Sequence, residues 1–158
     1  MGKDSVQPRS SLNPYFPDRS ALKQLADQME LILGIKLVAR IEVDNRYIIC
    51  SEKNSEATDN SPILYLRLRL WWDPRKTERG TGWAKVDYFV LSPPFRRQGW
   101  GRKLVELIKA WINSQDAIDF ICLYARPEVV PFWTKCGFQK ENHEERMLYL
   151  VRDFEISS

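Results

Sequence analysis

The sequence is poor in the residues that build metal centres and disulfide frameworks: it has one histidine and three cysteines in 158 residues. Cys50, Cys122 and Cys136 are odd in number, form no CxxC pair and sit in or beside apolar segments. That argues against a structural disulfide or zinc site and for reduced core cysteines in a cytoplasmic protein, so no metal is expected. The lone His143 lies in the charged turn KENHEER and reads as a surface residue. No apolar run approaches the ~20 residues that span a bilayer, and MGKDSVQPRS lacks the apolar centre of a signal peptide. Gly2 with a nearby Ser comes close to a myristoylation pattern, but that pattern is too short to carry weight. A net charge of only +3 gives no global attraction to nucleic acid or to an anionic membrane, so neither is expected as a partner. Internal repeats and low-complexity tracts are also missing.

What is present is core material. A hydrophobic content of 44% with six Trp, seven Phe and six Tyr suits one compact unit. Residues 1–19 hold three of the nine prolines and read as an irregular arm, leaving one domain over 20–158. After Ser20, a candidate N-cap, Leu22, Leu25, Ala26, Met29 and Leu33 recur at helical spacing, and Gly34 supplies the stop. IKLVARIEV and RYIIC flank Asp44-Asn45 as a hairpin, and SEKNSEATDNS follows as a polar loop. PILYLRLRLWW alternates, with Leu64, Leu66, Leu68 and Leu70 on one face and Tyr65, Arg67, Arg69 and Trp71 on the other. WAKVDYFVLS is a second strand, ended by Pro93-Pro94.

Beyond those prolines, Leu104, Val105, Ile108, Trp111 and Ile112 share one helical face. AIDFICLYA is then nearly continuous in apolar residues, as in a strand buried on both faces of a parallel pair. A short helix over 128–136, stopped by Gly137, and a last strand in ERMLYLVRDF complete the chain. The expected class is α+β, a mixed and mostly antiparallel twisted sheet with flanking helices and a strand, helix, strand crossover in its centre.

The stretch PPFRRQGWGRKL, residues 93–104, carries the chemistry. A helix N-terminus presents unpaired N–H groups and the positive end of its dipole, which makes an anion site. Gly99 and Gly101 leave that end open, and Arg96, Arg97 and Arg102 surround it with positive charge. A phosphate or pyrophosphate cradle follows. It is not a Walker A loop, because Arg102-Lys103-Leu104 after Gly101 offers no hydroxyl for magnesium. It is not a dinucleotide fingerprint either, because position 104 is Leu rather than a third glycine.

The run Leu91-Ser92-Pro93-Pro94-Phe95-Arg96-Arg97-Gln98-Gly99-Trp100-Gly101 resembles motif A of the GNAT superfamily, the acetyl-CoA-dependent N-acetyltransferases, V-x-P-x-x-[RQ]-x-x-G-x-[GA]. ICLYARPEVVPFWTKCGF resembles the family's motif B, with Phe132, Gly137 and Phe138 in register. The two segments define an acetyl-CoA core over 83–140. The resemblance implies a GNAT fold with a splayed central parallel strand pair, and acetyl-CoA as acyl donor substrate. It further implies that the backbone of Phe89, Val90 and Leu91 runs beside the pantetheine arm, with the Leu91 N–H as oxyanion donor. The N–H groups from Arg96 through Arg97, Gln98, Gly99 and Trp100 to Gly101 and Arg102 are implied to hold the pyrophosphate.

Two positions depart from the family pattern. Trp133 stands where a Tyr often protonates the departing thiolate, and indole is a donor far too weak as an acid for that task. Arg126 stands where an Asn often opens the segment. Both are implied to border the cofactor. For a base, simple strand alternation puts Asp87 on the face of Phe89 and Leu91, close to the implied thioester; the alternative is a solvated strand-edge charge. Tyr124 is a candidate acid or hydrogen-bond donor, against simple packing. Trp71, Trp72 and Trp83 bracket the loop 73–81 as candidate acceptor-pocket walls, against core packing. Cys136 has no histidine in sequence reach and makes a poor nucleophile, and Arg67 and Arg69 read as a wet sheet face.

The function expected is acetyl transfer to a primary amine, on a small molecule or a protein, by a monomer or homodimer. The alternative is a module that holds acyl-CoA without turnover.

Overall fold

The computed structural model describes residues 16–42, 45–52, 62–73, 81–96, 98–115, 118–141 and 145–151. Most of the N-terminal arm, Arg97, His143, the polar loop 53–61 and the loop 74–80 lie outside the described residues. The element order is α1 (Arg19–Leu33), β1 (Leu37–Glu42), β2 (Arg46–Ser51), β3 (Leu64–Asp73), β4 (Thr81–Leu91), α2 (Trp100–Asn113), β5 (Ile118–Tyr124), α3 (Val130–Lys135), β6 (Gln139–Lys140) and β7 (Arg146–Leu150). Short 3-10 turns, Pro93–Phe95 and Pro127–Val129, lead into α2 and α3.

Helix α1 begins one residue before the expected cap. The Asp18 carboxylate, not the Ser20 hydroxyl, accepts the Ala21 N–H at 2.9 Å, a contact that stabilises a helix start by about 1 kcal/mol. Gly34 ends the helix in the left-handed region, φ 70°, and donates its N–H to the Glu30 carbonyl. The hairpin β1–β2 turns through Asn45, also left-handed at φ 57°, whose side-chain amide donates to the Leu70 carbonyl. A short polar side chain tolerates that conformation and here ties the turn to β3.

The strands form one sheet in the order β1-β2-β3-β4-β5-β7-β6. Every neighbouring pair is antiparallel except β4–β5. Leu64, Leu66, Leu68 and Leu70 are all buried, as their alternation requires; each buried leucine contributes about 1.5–3 kcal/mol. They join the apolar stripes of α1 and α2 in one core. The Trp111 indole N–H donates to the Ala21 carbonyl and locks the two helices together. Lys109 on α2 donates to the Cys136 carbonyl and so ties α3 to the same side. All three helices therefore cover one face of the sheet. Among the described residues no helix covers the other face, and none is long and apolar enough to cross a membrane.

Strand β4 places the site. Its pairing with β3 shifts register between Arg67 and Leu68: Tyr88 faces Arg67 while Val86 faces Leu68, so Asp87 is the extra residue of a bulge. Its parallel pairing with β5 runs only from Gly82 and Ile118 to Val86 and Leu123. Beyond Val86 the two strands part, which is the splayed parallel pair that the resemblance implied.

Candidate active site

The split between β4 and β5 opens on the helix side into a cleft of about 510 Å³. Phe89, Val90 and Leu91 form one wall, Gly99, Gly101 and Arg102 the end, and Val129, Phe132 and Trp133 the other wall. Of these, Val129 and Phe132 were not singled out as site residues from the sequence, although Phe132 is the nearest neighbour of Gly101. A Cβ on Gly101 would lie 3.4 Å from the Phe132 ring. The apolar wall is a chain of aromatics: Phe89 stacks on Phe132, and Trp133 meets Phe89, Phe132 and Phe138 edge-on.

The backbone of the first wall is half-paired. Ser92 donates to the Ile63 carbonyl at 2.7 Å, and in the β3–β4 register that hydrogen-bonded pair makes Leu91–Leu64 and Phe89–Leu66 the non-hydrogen-bonded pairs. The N–H groups of Phe89 and Leu91 consequently point away from β3, into the split, where β5 has left. The Leu91 carbonyl on that same side accepts from the Arg96 Nε at 2.7 Å, which pins the guanidinium at the mouth of the cleft.

The end of the cleft is the start of α2. Gly99 is left-handed, φ 78°, with nothing within 4 Å of where a Cβ would stand, so its backbone conformation rather than space calls for glycine. The first intrahelical bond runs from Lys103 to the Gly99 carbonyl, which leaves the N–H groups of Trp100, Gly101 and Arg102 without a helical acceptor. One expectation needs correcting here: the Arg96 N–H is already donated to Pro93 at 3.0 Å, because Pro93–Phe95 winds as a 3-10 turn. Only the Arg96 side chain is left to face the cleft. Gln98 is exposed, and Trp100 is half-buried against Phe95 at 5.0 Å. Arg126 is exposed at the start of the turn before α3 and does not line the cleft.

Asp87 is the larger correction. Alternation put it on the face of Phe89 and Leu91, but the bulge reverses the phase of the strand, and its side chain lies on the open face. Arg69 binds it with both Nε and Nη2, at 2.6 and 3.0 Å, while Arg67 Nε and Lys85 Nζ stand at 3.7 and 3.6 Å. Both its oxygens are thus engaged by cations. The bidentate bond to Asp87 in turn holds the Arg69 guanidinium charge, its pKa pushed above the ordinary arginine value.

Tyr124, the last residue of β5, is exposed on that same face with the Lys85 ammonium 4.9 Å above its ring. Trp71 and Trp83 also belong there and stack with Phe120 across three strands, whereas Trp72 packs against the core on the helix side. The three tryptophans do not make one pocket. Cys136 is buried and burial pushes its thiol pKa up, the reverse of what a nucleophile needs.

Known proteins share this architecture. Among solved structures, GCN5 of Tetrahymena has a TM-score of 0.51 at 16% identity, with 98% of this chain and 95% of that one covered. AtaTR bound with acetyl-CoA gives 0.49 at 16%, covering 67% and 69%, and a mutant of KacT gives 0.47 at 16%, covering 82% and 76%. No curated protein matches the sequence. The model of the acetyltransferase (GNAT) family matches residues 13–138, more than three quarters of the chain. With that span falling on a mixed sheet split at its one parallel pair, the chain belongs to the GNAT acetyltransferase family and is an acyltransferase.

Proposed function

We propose that the chain transfers an acetyl group from acetyl-CoA to a primary amine by direct attack. One observation carries this reading: two rows of unpaired backbone donors, Phe89 and Leu91 along β4 and Trp100 to Arg102 at the start of α2, open into one cleft. The first row suits the amides of a pantetheine arm lying where a strand would otherwise pair. The second suits a pyrophosphate, with the Arg96 and Arg102 side chains adding charge, and with Gln98 and Gly99 leading into it. Val90 and Trp133 border the same cleft, and Arg126 stands farther out, beyond it. The donor supplies an acyl group activated on sulfur.

The Leu91 N–H, held rigidly by its strand, is the donor best placed to stabilise charge on the acyl oxygen. The amine nitrogen forms its bond to the acyl carbon as the carbon–sulfur bond breaks, and the proton shed by nitrogen ends on sulfur. Trp133 cannot deliver it; water or the Tyr124 hydroxyl can. Asp87 serves better as the anchor of Arg69 than as a base.

Calorimetric titration of acetyl-CoA tests the cradle. The expected result is binding near micromolar, about −8 kcal/mol, weakened at least ~100-fold in Gly101→Glu, whose side chain and charge would fill the cleft. Thiol release on adding amines, lost in that variant, then tests transfer. A wild-type protein that binds no acetyl-CoA overturns the reading.

A further inference from the structure

The acyl acceptor has to reach the split from somewhere, and the two faces of the sheet offer it different surroundings. On the helix side the split is filled by the cleft just described. On the open side its lip is built by Lys85, Asp87 and Tyr88 of β4 and by Tyr124 of β5. Lys85 pairs with Cys122 one step before the strands part. Behind these stand Arg67 and Arg69 of β3.

Among the described residues the lip has more positive charge than its carboxylate can match. Three cations, Arg67, Arg69 and Lys85, face Asp87, and only Arg69 hydrogen-bonds to it. The Arg67 Nε has no hydrogen-bond partner although it is buried, and its guanidinium lies over the Tyr88 ring at 4.5 Å. Lys85 Nζ sits over Tyr124 at 4.9 Å with no hydrogen bond among the described residues. Both side chains remain about one quarter exposed. Farther out on this face Glu42 is shared by Arg40 and Arg46, and Arg146 stands beside Glu141. Among the described residues the excess of cations over carboxylates is therefore greatest at the split, three to one.

We infer that the acceptor is an amine that also carries a carboxylate or phosphate, selected by Arg67 and Lys85 at the open-face lip of the split. The inference rests on the acetyl-transfer reading above and names its substrate class. The anionic group supplies the acceptor atoms that Arg67 and Lys85 lack, and charge-assisted bonds of this kind are the strong ones. Asp87 lies two residues from Phe89, about 7 Å along the strand, so an amine separated from its anionic group by a few bonds reaches the cleft while the anion stays on the lip. Amines whose other groups are cationic, such as polyamines, aminoglycosides or lysines in basic tails, meet uncompensated positive charge there. The chemistry is the same whether the anion belongs to a free small molecule or to an acidic residue following a peptide's N-terminal amine.

Matched acceptors test this by thiol release at saturating acetyl-CoA: 4-aminobutyrate against 1,4-diaminobutane, O-phosphoethanolamine against ethylenediamine, and peptides beginning Gly-Asp-Glu against Gly-Lys-Lys. The expected result is a kcat/KM at least ten-fold higher for the anionic member of a pair, shrinking as salt rises; whether the small acids or the acidic peptide lead identifies the source. Arg67→Gln with Lys85→Gln is expected to erase the preference by raising the acceptor KM, while the calorimetric affinity for acetyl-CoA stays as in the wild type and so reports an intact fold. Arg67→Lys, which keeps the charge, is expected to retain most of the preference. Thiol release that favours the cationic members, or a preference untouched in the double variant, overturns this inference and leaves acetyl transfer standing. Binding of acetyl-CoA with release by no member of any pair overturns both.

Discussion

The two halves of β4 belong to one continuous strand and have opposite fates. Gly82 to Val86 is paired on both sides, with β3 and with β5, and its inward residues Ala84 and Val86 are buried. Tyr88 to Leu91 is paired with β3 alone, and the donors on its other edge face the cleft. One half closes the sheet and the other half leaves its outer backbone donors open to the cleft. The single residue between them, Asp87, changes which face each side chain takes. A bulge next to a split is thus the device that makes a binding wall out of a structural strand.

The contrast can be broken from the structural side first. Leu123 is buried opposite Val86, at the last rung before the strands part. Leu123→Ala is expected to cost about 2–5 kcal/mol of stability, read by denaturant unfolding, while acetyl-CoA affinity in the folded fraction changes little. A loss of affinity without loss of stability would show the paired half to be part of the site.

At the junction, Asp87→Asn removes the charge that Arg69, Arg67 and Lys85 share. Because the carboxylate is nearly buried but its partners are not, the expected destabilisation is about 1–3 kcal/mol, below that of a fully buried pair. Turnover is expected to fall roughly ten-fold with the shape of its pH profile kept. If instead the acidic limb of kcat/KM disappears, Asp87 is the general base and the anchoring role is wrong.

Across the cleft from the free half, Val129 is 42% exposed and lines it. Val129→Ala should leave stability within about 0.5 kcal/mol and weaken acetyl-CoA several-fold by calorimetry, the mirror image of the Leu123 result. The smallest effect concerns thiols. Burial pushes the Cys122 and Cys136 pKa values up, so at pH 8 both are expected to resist alkylation in the native protein and to react once it unfolds. The raised values also mean that any stability they contribute is present below the ordinary thiol range and is lost as pH rises through it. Rapid native labelling of Cys136, read by mass spectrometry, would reopen its rejection as a nucleophile.

Much of this arrangement is legible in one dimension. The left-handed stop at Gly34, the buried leucine row of β3, the apolar face of α2 and the glycine entrance at residues 99–101 each depend on neighbours a few positions away, where periodicity and backbone freedom act directly. Helix α1 shows the limit of that reasoning. Asp18 and Ser20 are both good capping residues, and the choice fell to Asp18, with Tyr47 on β2 donating to the neighbouring Pro17 carbonyl from across the core.

The sequence by itself determined which segments become strands and helices and where an anion could meet a helix end, because those depend on local spacing and on the absence of side chains. Only the tertiary structure decided which face Asp87 occupies, since a bulge is a difference in residue count between two strands and exists only when both are paired. It also decided that the Arg96 N–H is spent on Pro93 while its guanidinium faces the cleft, that Trp72 parts from Trp71 and Trp83, and that Arg67, Arg69 and Lys85 gather at one lip. Each of those outcomes depends on register between β3, β4 and β5, which no single stretch of chain encodes.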